Sequence, residues 1–416
     1  MHVLVLSTGN PLLENALLTA GHTVSVLQPE GTAAVPGTAR HTIAHWDDLD
    51  ALTALEHSLP DVDAIATIDE QAIVAAAHLR QLRALPGLTV DAARAYTDKA
   101  TMKTALAAAG LPVARHRVVH HADEVGAAAG DFGWPVLVKP RAGLATLNTF
   151  VVRSPEDLKE LVGAGAFDTR TTDPTGRLAA GHVLDSLHEA PHGFLVEQFL
   201  DVEAEFFCDL YVHRGTVLLA VPGRYDAPLL QSIGDASFDT VLPPEHPEAQ
   251  DVTALATRAA AALGAQSGVV HCEILRDRTK GLFVGEAGAR PGGGSITELA
   301  SVMYAFDLPA TLAALATGEV PDLDGTPRFP ALTAVMIPAP AGTVTHVTDR
   351  DTVEALPGVL DADIRLIVGQ PAPAGIGTMT RAGRVLYVPD NLKTLDQEVA
   401  HLRAVLDIRV EPHTAA

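Results

Sequence analysis

The chain of 416 residues has only two cysteines, and aromatic residues make up 4% of it. Cys208 and Cys272 are too few for a disulfide framework, and both lie in apolar runs, so we expect buried, reduced thiols in a cytoplasmic protein. No stretch approaches the ~20 uncharged apolar residues that a membrane-spanning helix needs, so we expect no membrane partner. The opening residues, MHVLVLSTGN, lack a basic segment and a small-residue cleavage site, which predicts a β-strand and not a signal peptide.

Positive charge is also scarce. The chain has 29 basic residues against 51 acidic ones, a formal net charge of −22, and only six of the basic residues are lysines. Broad nucleic-acid binding needs a basic surface, so we expect no nucleic-acid partner. A polyanionic ligand such as a nucleotide would need local basic groups and a metal ion to bind such a chain.

The pattern of apolar residues divides the chain into three predicted parts. Residues 1–90 alternate short apolar runs with amphipathic helical patterns, which predicts an α/β domain with a parallel, doubly wound sheet. No G-x-G-x-x-G follows the first strand, so dinucleotide binding is not supported there. Residues 91–320 mix strands and helices, and a Pro-rich linker leads into residues 321–416, which contain mostly strands and one terminal helix.

Two glutamates provide the strongest local argument for a site. If their hairpin turns about the Thr279–Lys280 bond, Glu273 and Glu286 are directly opposed, with Cβ atoms ~5 Å apart on one face of the sheet. The flanking residues are apolar, and two carboxylates in such surroundings need a proton or a divalent cation. Beside a phosphate, paired oxygen ligands favour Mg²⁺ or Mn²⁺. The alternative is a pair of acids that point to solvent from an exposed face.

The residues after the second glutamate add weight to a site. In an extended chain, Arg290 points to the same side as Glu286, and its guanidinium suits carboxylate or phosphate oxygens. The glycines at 292–294 let backbone N–H groups approach a ligand, and a helix is predicted to begin at Ser295. Together these features predict a site for an anion and a metal ion.

A lysine and a third glutamate lie in other apolar strands. Lys139 ends the strand PVLV before a loop that contains Gly143 and Thr146, where an ammonium group could contact phosphate. An ordinary surface lysine is the alternative. Glu197 lies in the apolar strand FLVEQFL, where a carboxylate is costly without a partner. Lys139 is the natural candidate for that partner.

Other polar residues are weaker candidates. His271 lies on the same strand face as Glu273, so it is a candidate for the substrate or metal side of the site. Arg224 and Tyr225, in the turn PGRYDAP, could reach a substrate. Most of the other histidines have no partner at ligand spacing, so no zinc site is expected.

These motifs, in this order, resemble the ATP-grasp superfamily and specifically its carboxylate–amine ligases, of the L-amino acid ligase type. The resemblance covers roughly residues 1–320, and the tail GTMTRAGRVLYV resembles the C-terminal lid domain of related branches. It implies a two-lobed nucleotide-binding domain over 91–320, with a mobile central lobe at about 116–196, and a β-rich α+β lid over 321–416. The matching pieces are DKATMK at 98–103, PVLVKPRAG at 135–143, LVEQFLDVEAEFFCD at 195–209, VVHCEI at 269–274 and GEAGARPGGGS at 285–295.

The resemblance also implies contacts with ATP. Two lysines would contact the phosphates, one of them close to the adenine as well. A hinge after the strand FLVEQ would bind the adenine, and an acid beyond it would hold the ribose hydroxyls. The implied ATP-binding residues are Lys99, Lys139, Glu197, Gln198, Leu200 and Glu205.

A second set of implied residues concerns the metal and the reaction. Glu273 and Glu286 would coordinate Mg²⁺ between the β- and γ-phosphates. Arg290, with Lys139, would be catalytic, and Arg290 would stabilise the acyl phosphate and the tetrahedral adduct. Substrate binding is assigned to Arg290, Gly293, Ser295, Arg224 and His271.

The sequence departs from the family pattern at two places. The family often has asparagine two residues after the second metal-binding glutamate, where this chain has Gly288. The phosphate loop of the family is richer in glycine and serine than RAGLATLNT, in which Thr146 and Asn148 would have to supply the contacts.

The function implied is the ATP-dependent formation of an amide between an amino acid carboxylate and an amine, usually another amino acid, through an acyl phosphate. A carboxylating or formylating ATP-grasp enzyme of the purine or biotin type is one alternative. A degenerate ATP-binding module without catalysis is the other. The cofactors implied are ATP and Mg²⁺ or Mn²⁺, and the resemblance makes a homodimer the first expectation.

Overall fold

The structure is a computed structural model that describes residues 1–143, 149–164, 193–231, 237–339, 342–372 and 381–411. Thr146 and Asn148 of the predicted phosphate loop lie outside the described residues. Within these ranges, no single helix is long and apolar enough to cross a membrane. Ile296–Tyr304 and Leu308–Thr317 reach that length and composition only when taken together, and they are bent by 99°.

The N-terminal segment alternates strands and helices. Its elements are β1 (His2–Leu6), α1 (Leu12–Thr19), β2 (Thr23–Pro29), β3 (Ala39–Ile43), α2 (Leu49–Glu56), β4 (Ala64–Ala66) and α3 (Ile73–Leu82). The strands pair in parallel in the order β3-β2-β1-β4. Side chains of β1 alternate between two cores: Val3 and Val5 pack on the side of α1, and Leu4 and Leu6 pack on the side of α2 and α3. This confirms the doubly wound parallel sheet.

A second, smaller sheet follows in the chain. The elements are α4 (Val90–Thr97), α5 (Lys99–Ala108), β5 (His116–Val119), α6 (Ala122–Phe132), β6 (Val136–Pro140), β7 (Phe150–Val152), α7 (Pro155–Gly163) and β8 (Phe194–Gln198). Its strands are antiparallel, in the order β5-β8-β6-β7. One face packs on α6 through Val136, Val138 and Val196, which leaves Leu137, Lys139 and Glu197 on the opposite face. We refer to this unit as the lobe sheet.

The rest of the described chain forms a large antiparallel sheet with helices. The elements are β9 (Val202–His213), β10 (Thr216–Tyr225), β11 (Phe238–Val241), α8 (Pro247–Ala262), β12 (Gly268–Asp277), β13 (Gly281–Gly288), α9 (Ile296–Tyr304), α10 (Leu308–Thr317), β14 (Leu332–Pro338), β15 (Thr343–Val347), α11 (Arg350–Glu354), β16 (Val359–Ile364), β17 (Arg381–Tyr387), α12 (Leu395–Val405) and β18 (Ile408–Glu411). The large sheet runs β13-β12-β9-β10-β11-β14-β17-β16, and β15 pairs with β18.

The two faces of the large sheet have different partners. On β9, Phe206 and Cys208 belong to the core that contains α8, whereas Phe207 and Tyr211 belong to the core that contains α9, α10 and α1. Cys208 and Cys272 are both buried and free, as expected. The large sheet contains strands from both sides of residue 320, because β11 pairs with β14. The division of the chain at residues 90 and 320 stays a prediction.

Candidate active site

A cavity of about 1230 Å³ lies where the lobe sheet, one face of the large sheet and the N-terminal segment meet. A pocket of this size can take a nucleotide together with further substrates. Most of the residues predicted from the sequence line it, although they come from positions 99 to 293. They are Lys99, Lys139, Glu197, Gln198, Leu200, Glu205, His271, Glu273, Glu286, Arg290 and Gly293.

The two predicted metal-binding glutamates are directly opposed. Glu273 on β12 pairs with Glu286 on β13, which confirms the predicted pairing. The predicted turn position is wrong, because Asp277 pairs with Gly281 beside the turn. A bulge at Gly285 adds one residue to β13 and restores the opposition of the two acids. The bulge therefore sets which side chains of β13 face the cavity.

Each of these carboxylates already has a cationic neighbour. Lys99 Nζ lies 2.9 Å from Glu286 Oε1, and His271 Nε2 lies 3.8 Å from Glu273 Oε1. Burial raises the pKa of Glu273, but His271, Arg290 and Lys139 together outweigh it and hold that pKa below its usual value. The described residues contain no group of three or more histidines, cysteines or acids arranged to hold a metal. Two carboxylates suit Mg²⁺ if phosphate oxygens and water complete its octahedron.

Local structure places Lys99 at this position. It is the first residue of α5, which Asp98 caps by accepting a hydrogen bond from Ala100 N at 3.0 Å. Asp98 also forms an ion pair with Arg141, just after β6. The start of α5 is therefore tied to the loop after the lobe sheet, and Lys99 Nζ donates to Gly143 O at 2.7 Å.

A buried ion cluster links the lobe sheet to the large sheet. Lys139 Nζ lies 2.9 Å from Glu197 Oε1, which confirms the predicted partner, and Lys103 Nζ lies 3.4 Å from the same oxygen. Burial raises the pKa of Glu197, but the two ammonium groups hold it below its usual value. Lys103 also donates to Gly285 O at 3.2 Å, so the cluster fixes the bulge beside Glu286.

The arginine after β13 is held by the N-terminal segment. Arg290 Nε lies 2.7 Å from Glu70 Oε2, and Arg290 Nη1 donates to Pro291 O at 2.9 Å. Burial lowers the pKa of Arg290, but Glu70 outweighs it and raises that pKa. The guanidinium is therefore charged and fixed in direction.

The glycine loop after Arg290 rests on a buried Asp–His pair. His271 Nδ1 lies 2.6 Å from Asp209 Oδ1, and Gly292 N donates to Asp209 Oδ2 at 3.0 Å. Burial lowers the pKa of His271, but Asp209 outweighs it and raises that pKa to about 9. Since a Cβ on Gly292 would lie 2.9 Å from Asp209 Oδ1, only glycine lets the loop come this close.

The predicted adenine and ribose contacts lie at the other end of the cavity. Gln198 ends β8, its backbone N–H donates to Arg115 O at 2.8 Å, and Leu200 follows in the connection to β9. Glu205 is buried and accepts a hydrogen bond from Leu229 N at 2.8 Å. Burial raises the pKa of Glu205 to about 8, with Glu273 adding to the effect. These residues line the cavity, and their contacts with adenine and ribose stay predictions.

Two predicted substrate residues do not line the cavity. Arg224 alternates with Tyr225 on β10, so Tyr225 faces the cavity and Arg224 faces away, with Nη1 3.8 Å from Glu248 Oε2. The sequence PGRY was interpreted as a turn, but β10 runs to Tyr225, and strand alternation applies there. Ser295 is buried, and its hydroxyl donates to Met336 Sδ at 3.9 Å instead of pointing into the cavity.

Several site residues were missed by sequence reasoning. Lys103 could have been predicted, because it follows Lys99 by one helical turn and lies on the same face of α5. Asp209 alternates with Phe207 and Tyr211 in an apolar strand, a signal as clear as that of Glu197. The remaining three missed residues are Glu70, Asp239 and Arg381, which reach the cavity from distant elements.

Comparison with known proteins agrees with this architecture. Residues 98–188 match the protein family described as carbamoyl-phosphate synthase L chain, ATP binding domain. The L-arginine-specific L-amino acid ligase of Bacillus subtilis is 25% identical over 376 residues, which cover 87% of this chain and 86% of that protein.

Solved structures share the whole fold at low sequence identity. The L-amino acid ligase of Bacillus licheniformis superimposes with a TM-score of 0.71 at 17% identity, over 99% of this chain and 98% of that chain. The N5-carboxyaminoimidazole synthase of Aspergillus clavatus, in complex with ADP and 5-aminoimidazole ribonucleotide, gives a TM-score of 0.67 at 16% identity, over 97% and 98%. These findings confirm the ATP-grasp fold and the resemblance to its carboxylate–amine ligases.

Proposed function

We propose that the protein is an ATP-dependent carboxylate–amine ligase that joins an amino acid to an amine, usually a second amino acid. The observation that carries this proposal is the meeting of the opposed pair Glu273–Glu286 with Arg290 and two lysines in one cavity. Phosphoryl transfer to a carboxylate needs anion-binding cations and metal-binding acids placed together, and this cavity supplies both.

ATP binds with its adenine at the end of the lobe sheet and its phosphates toward the large sheet. Gln198 and Leu200 border the adenine, and Glu205 accepts from the ribose hydroxyls. Lys139 keeps its ion pair with Glu197 and donates hydrogen bonds to phosphate through its remaining N–H groups. Lys99 turns from Glu286 to the phosphates, because the two groups compete for one ammonium.

The metal-binding acids become free when Lys99 leaves Glu286. Glu273 and Glu286 would then hold Mg²⁺ or Mn²⁺, and the ion would supply positive charge beside the phosphates. Gly288 offers no side-chain ligand, and the acids present are enough for one ion.

The reaction has two chemical steps. The substrate carboxylate takes the γ-phosphoryl group, which gives an acyl phosphate and ADP. The amine then attacks the acyl carbon, loses a proton and displaces phosphate, which leaves an amide. Arg290 donates to the oxygens that gain negative charge in both steps, and closure of the lobe sheet keeps water away from the acyl phosphate.

A carboxylating ligase is the second candidate, because the synthase of Aspergillus clavatus shares the fold over nearly the whole chain. In this chain, the part of the cavity lined by the N-terminal segment contains Asp69 and Glu70. Acids there disfavour a phosphorylated substrate such as a ribonucleotide. The amide ligase is therefore the better-supported proposal, and a homodimer in the cytoplasm remains part of it.

The test is ADP release by the purified protein with Mg·ATP and all pairs of the twenty amino acids, with product masses from the same wells. A dipeptide mass that appears together with ADP supports the proposal, and Arg290→Ala should abolish both. ADP release that needs bicarbonate and no amino acid would support the carboxylating candidate. Bound ATP without turnover in any well would contradict both enzymes.

A further inference from the structure

One wall of the cavity contains two oppositely charged side chains that the nucleotide contacts do not use. Asp239 lies on β11 and Arg381 begins β17, and both line the cavity. The strand order β12-β9-β10-β11 separates Asp239 from the glutamate pair by three strand spacings, about 14 Å. This wall therefore lies apart from the glutamate pair that would hold the metal ion.

The strand register shows that Asp239 shares a face with the metal-binding acid. Glu273 pairs with Phe207, Phe207 with Gly223, and Gly223 with Val241, two residues beyond Asp239 on β11. Directly paired residues point to the same face, as do residues two apart in one strand. The large sheet therefore presents Glu273 and Asp239 to the same cavity.

Both charged groups have unused hydrogen-bonding capacity. Asp239 is only 2% exposed, and its Oδ1 has no hydrogen-bond partner among the described residues. The buried Nη1 of Arg381 has none there either. The two groups face each other at 3.7 Å between Nη1 and Oδ2, which is too long for a hydrogen bond. Buried charged atoms without partners are rare in folded proteins and indicate a missing ligand.

The glycine loop connects this wall to the reaction centre. A Cβ on Gly294 would lie 2.8 Å from Arg381 Nη1, so the guanidinium packs against the backbone of the loop. Gly294 has a φ of +64°, a conformation that favours glycine. Gly294 is the fourth residue after Arg290 in the same loop, so a ligand held by Arg381 would be near the acyl phosphate that Arg290 would bind.

We propose that Asp239 and Arg381 form the subsite for the amine substrate and that this substrate is an α-amino acid. Arg381 binds its α-carboxylate, and Asp239 accepts a hydrogen bond from its α-nitrogen. The nitrogen and carboxylate oxygens of an amino acid are about 3 Å apart by standard bond lengths. This spacing is close to the 3.7 Å between Asp239 Oδ2 and Arg381 Nη1, so an amino acid that lies alongside the pair can make one hydrogen bond to each group. This inference rests on the proposed function and names its second substrate class.

The charge state of Asp239 agrees with that role. Burial raises its pKa to about 6, and Arg381 opposes the rise. Asp239 is therefore ionised at pH 7 and above, where a carboxylate accepts hydrogen bonds and donates none.

The test separates acyl transfer from recognition of the amine. Hydroxylamine first replaces the amine, with each of the twenty amino acids as the acid, and hydroxamate formation reports the acyl phosphate alone. The best acid is then offered L-alanine, L-alaninamide or ethylamine as the amine. The variants are Arg381→Gln and Asp239→Asn. Matched controls are Arg365→Gln and Asp363→Asn, an exposed ion pair at the end of β16.

The expected result is selective loss. Arg381→Gln should lower kcat/KM for L-alanine by about 10- to 100-fold, as expected for a lost charge-assisted contact. The values of kcat/KM for ethylamine and hydroxylamine should stay unchanged. Asp239→Asn should lower kcat/KM for L-alanine, L-alaninamide and ethylamine alike, with hydroxamate formation unchanged. The control variants should behave as wild type.

Two outcomes overturn the subsite. One is a wild-type enzyme that uses ethylamine as well as L-alanine. The other is an Arg381→Gln variant that loses activity equally with all acceptors. Absence of hydroxamate from the wild-type enzyme with every acid would instead contradict the proposed ligase itself.

Discussion

Arg290 Nε and Glu70 Oε2 lie 2.7 Å apart, although 220 residues separate them in the chain. Glu70 belongs to the N-terminal segment and Arg290 to the loop after β13, so the N-terminal segment sets the direction of the guanidinium. An arginine aimed in this way is ready to bind an acyl phosphate without a reorganisation of its side chain. Under the proposed function, the N-terminal segment thereby contributes to the reaction centre.

Glu70→Gln should lower hydroxamate formation about 10-fold, because the charge-assisted contact that orients Arg290 is weakened. The KM for ATP should stay unchanged, since Glu70 contacts Arg290 and is not among the residues assigned to ATP binding. Glu30→Gln, at an exposed position of the same segment, is the control. If Glu70→Gln raised the KM for ATP and left the rate unchanged, Glu70 would act on nucleotide binding and not through Arg290.

Glu197→Gln should destabilise the folded protein by about 3–5 kcal/mol, because it leaves Lys103 and Lys139 buried without a full counter-charge. Since the pKa of Glu197 is held low, the carboxylate stabilises the fold above its unfolded pKa. That advantage is lost as the pH falls through the lowered value. Urea unfolding at several pH values measures the difference.

Asp131→Asn, in the exposed ion pair with Arg117, is the control for Glu197→Gln and should leave stability unchanged. Equal effects of the two substitutions would contradict a buried cluster.

Glu286→Gln should raise the Mg²⁺ concentration needed for half-maximal ADP release by tenfold or more, because one of two protein ligands loses its charge. Lys99→Met should instead raise the KM for ATP, and it removes the ammonium that competes with the metal ion for Glu286. Glu203→Gln, on β9 and partly exposed, is the control. An unchanged Mg²⁺ requirement in Glu286→Gln would remove Glu286 from the metal site.

Local patterns were enough to predict the two charged pairs in the middle of the cavity. A turn placed at the Thr279–Lys280 bond predicted that Glu273 opposes Glu286, an outcome that the structure reaches through the bulge at Gly285. The cost of a lone carboxylate in an apolar strand predicted Lys139 as the partner of Glu197. Both arguments need only near neighbours and the cost of an unpaired buried charge.

Pairs between distant elements could not be predicted in the same way. Asp239 meets Arg381 only because β11 and β17 both pair with β14, a topology that no local pattern specifies. The bulge at Gly285 and the length of β10 were also missed, although they are local features of single strands. A shift of one residue in a strand changes the face of every side chain beyond it, and because β10 continues through PGRY as a strand, Arg224 and Tyr225 point to opposite faces.

Asp239→Asn should make the ligand-free protein more stable at neutral pH, while it weakens binding of the amine. Burial raises the pKa of Asp239 to about 6, with Arg381 and His271 opposing the rise and Asp226 adding to it. A raised carboxyl pKa contributes stability below the unfolded value and loses it as the pH rises through the folded value. The variant should therefore gain up to about 3 kcal/mol relative to wild type between pH 4 and pH 8.

Thermal unfolding across that pH range measures this effect. A stability difference that does not change with pH would show that Asp239 is ionised as easily in the folded protein as in the unfolded one.

Gly292→Ala should destabilise the protein and slow catalysis, whereas Gly293→Ala should leave stability unchanged. A Cβ on Gly292 would lie 2.8 Å from Ile296 Cγ2 and 2.9 Å from Asp209 Oδ1, but a Cβ on Gly293 would meet no atom within 4 Å. Overpacking of this kind costs about 1–3 kcal/mol, and relief would require the loop to move off Asp209. Thermal unfolding and hydroxamate formation of the two variants check this, and the same stability loss in both would show that loop flexibility, and not the close approach to Asp209, requires these glycines.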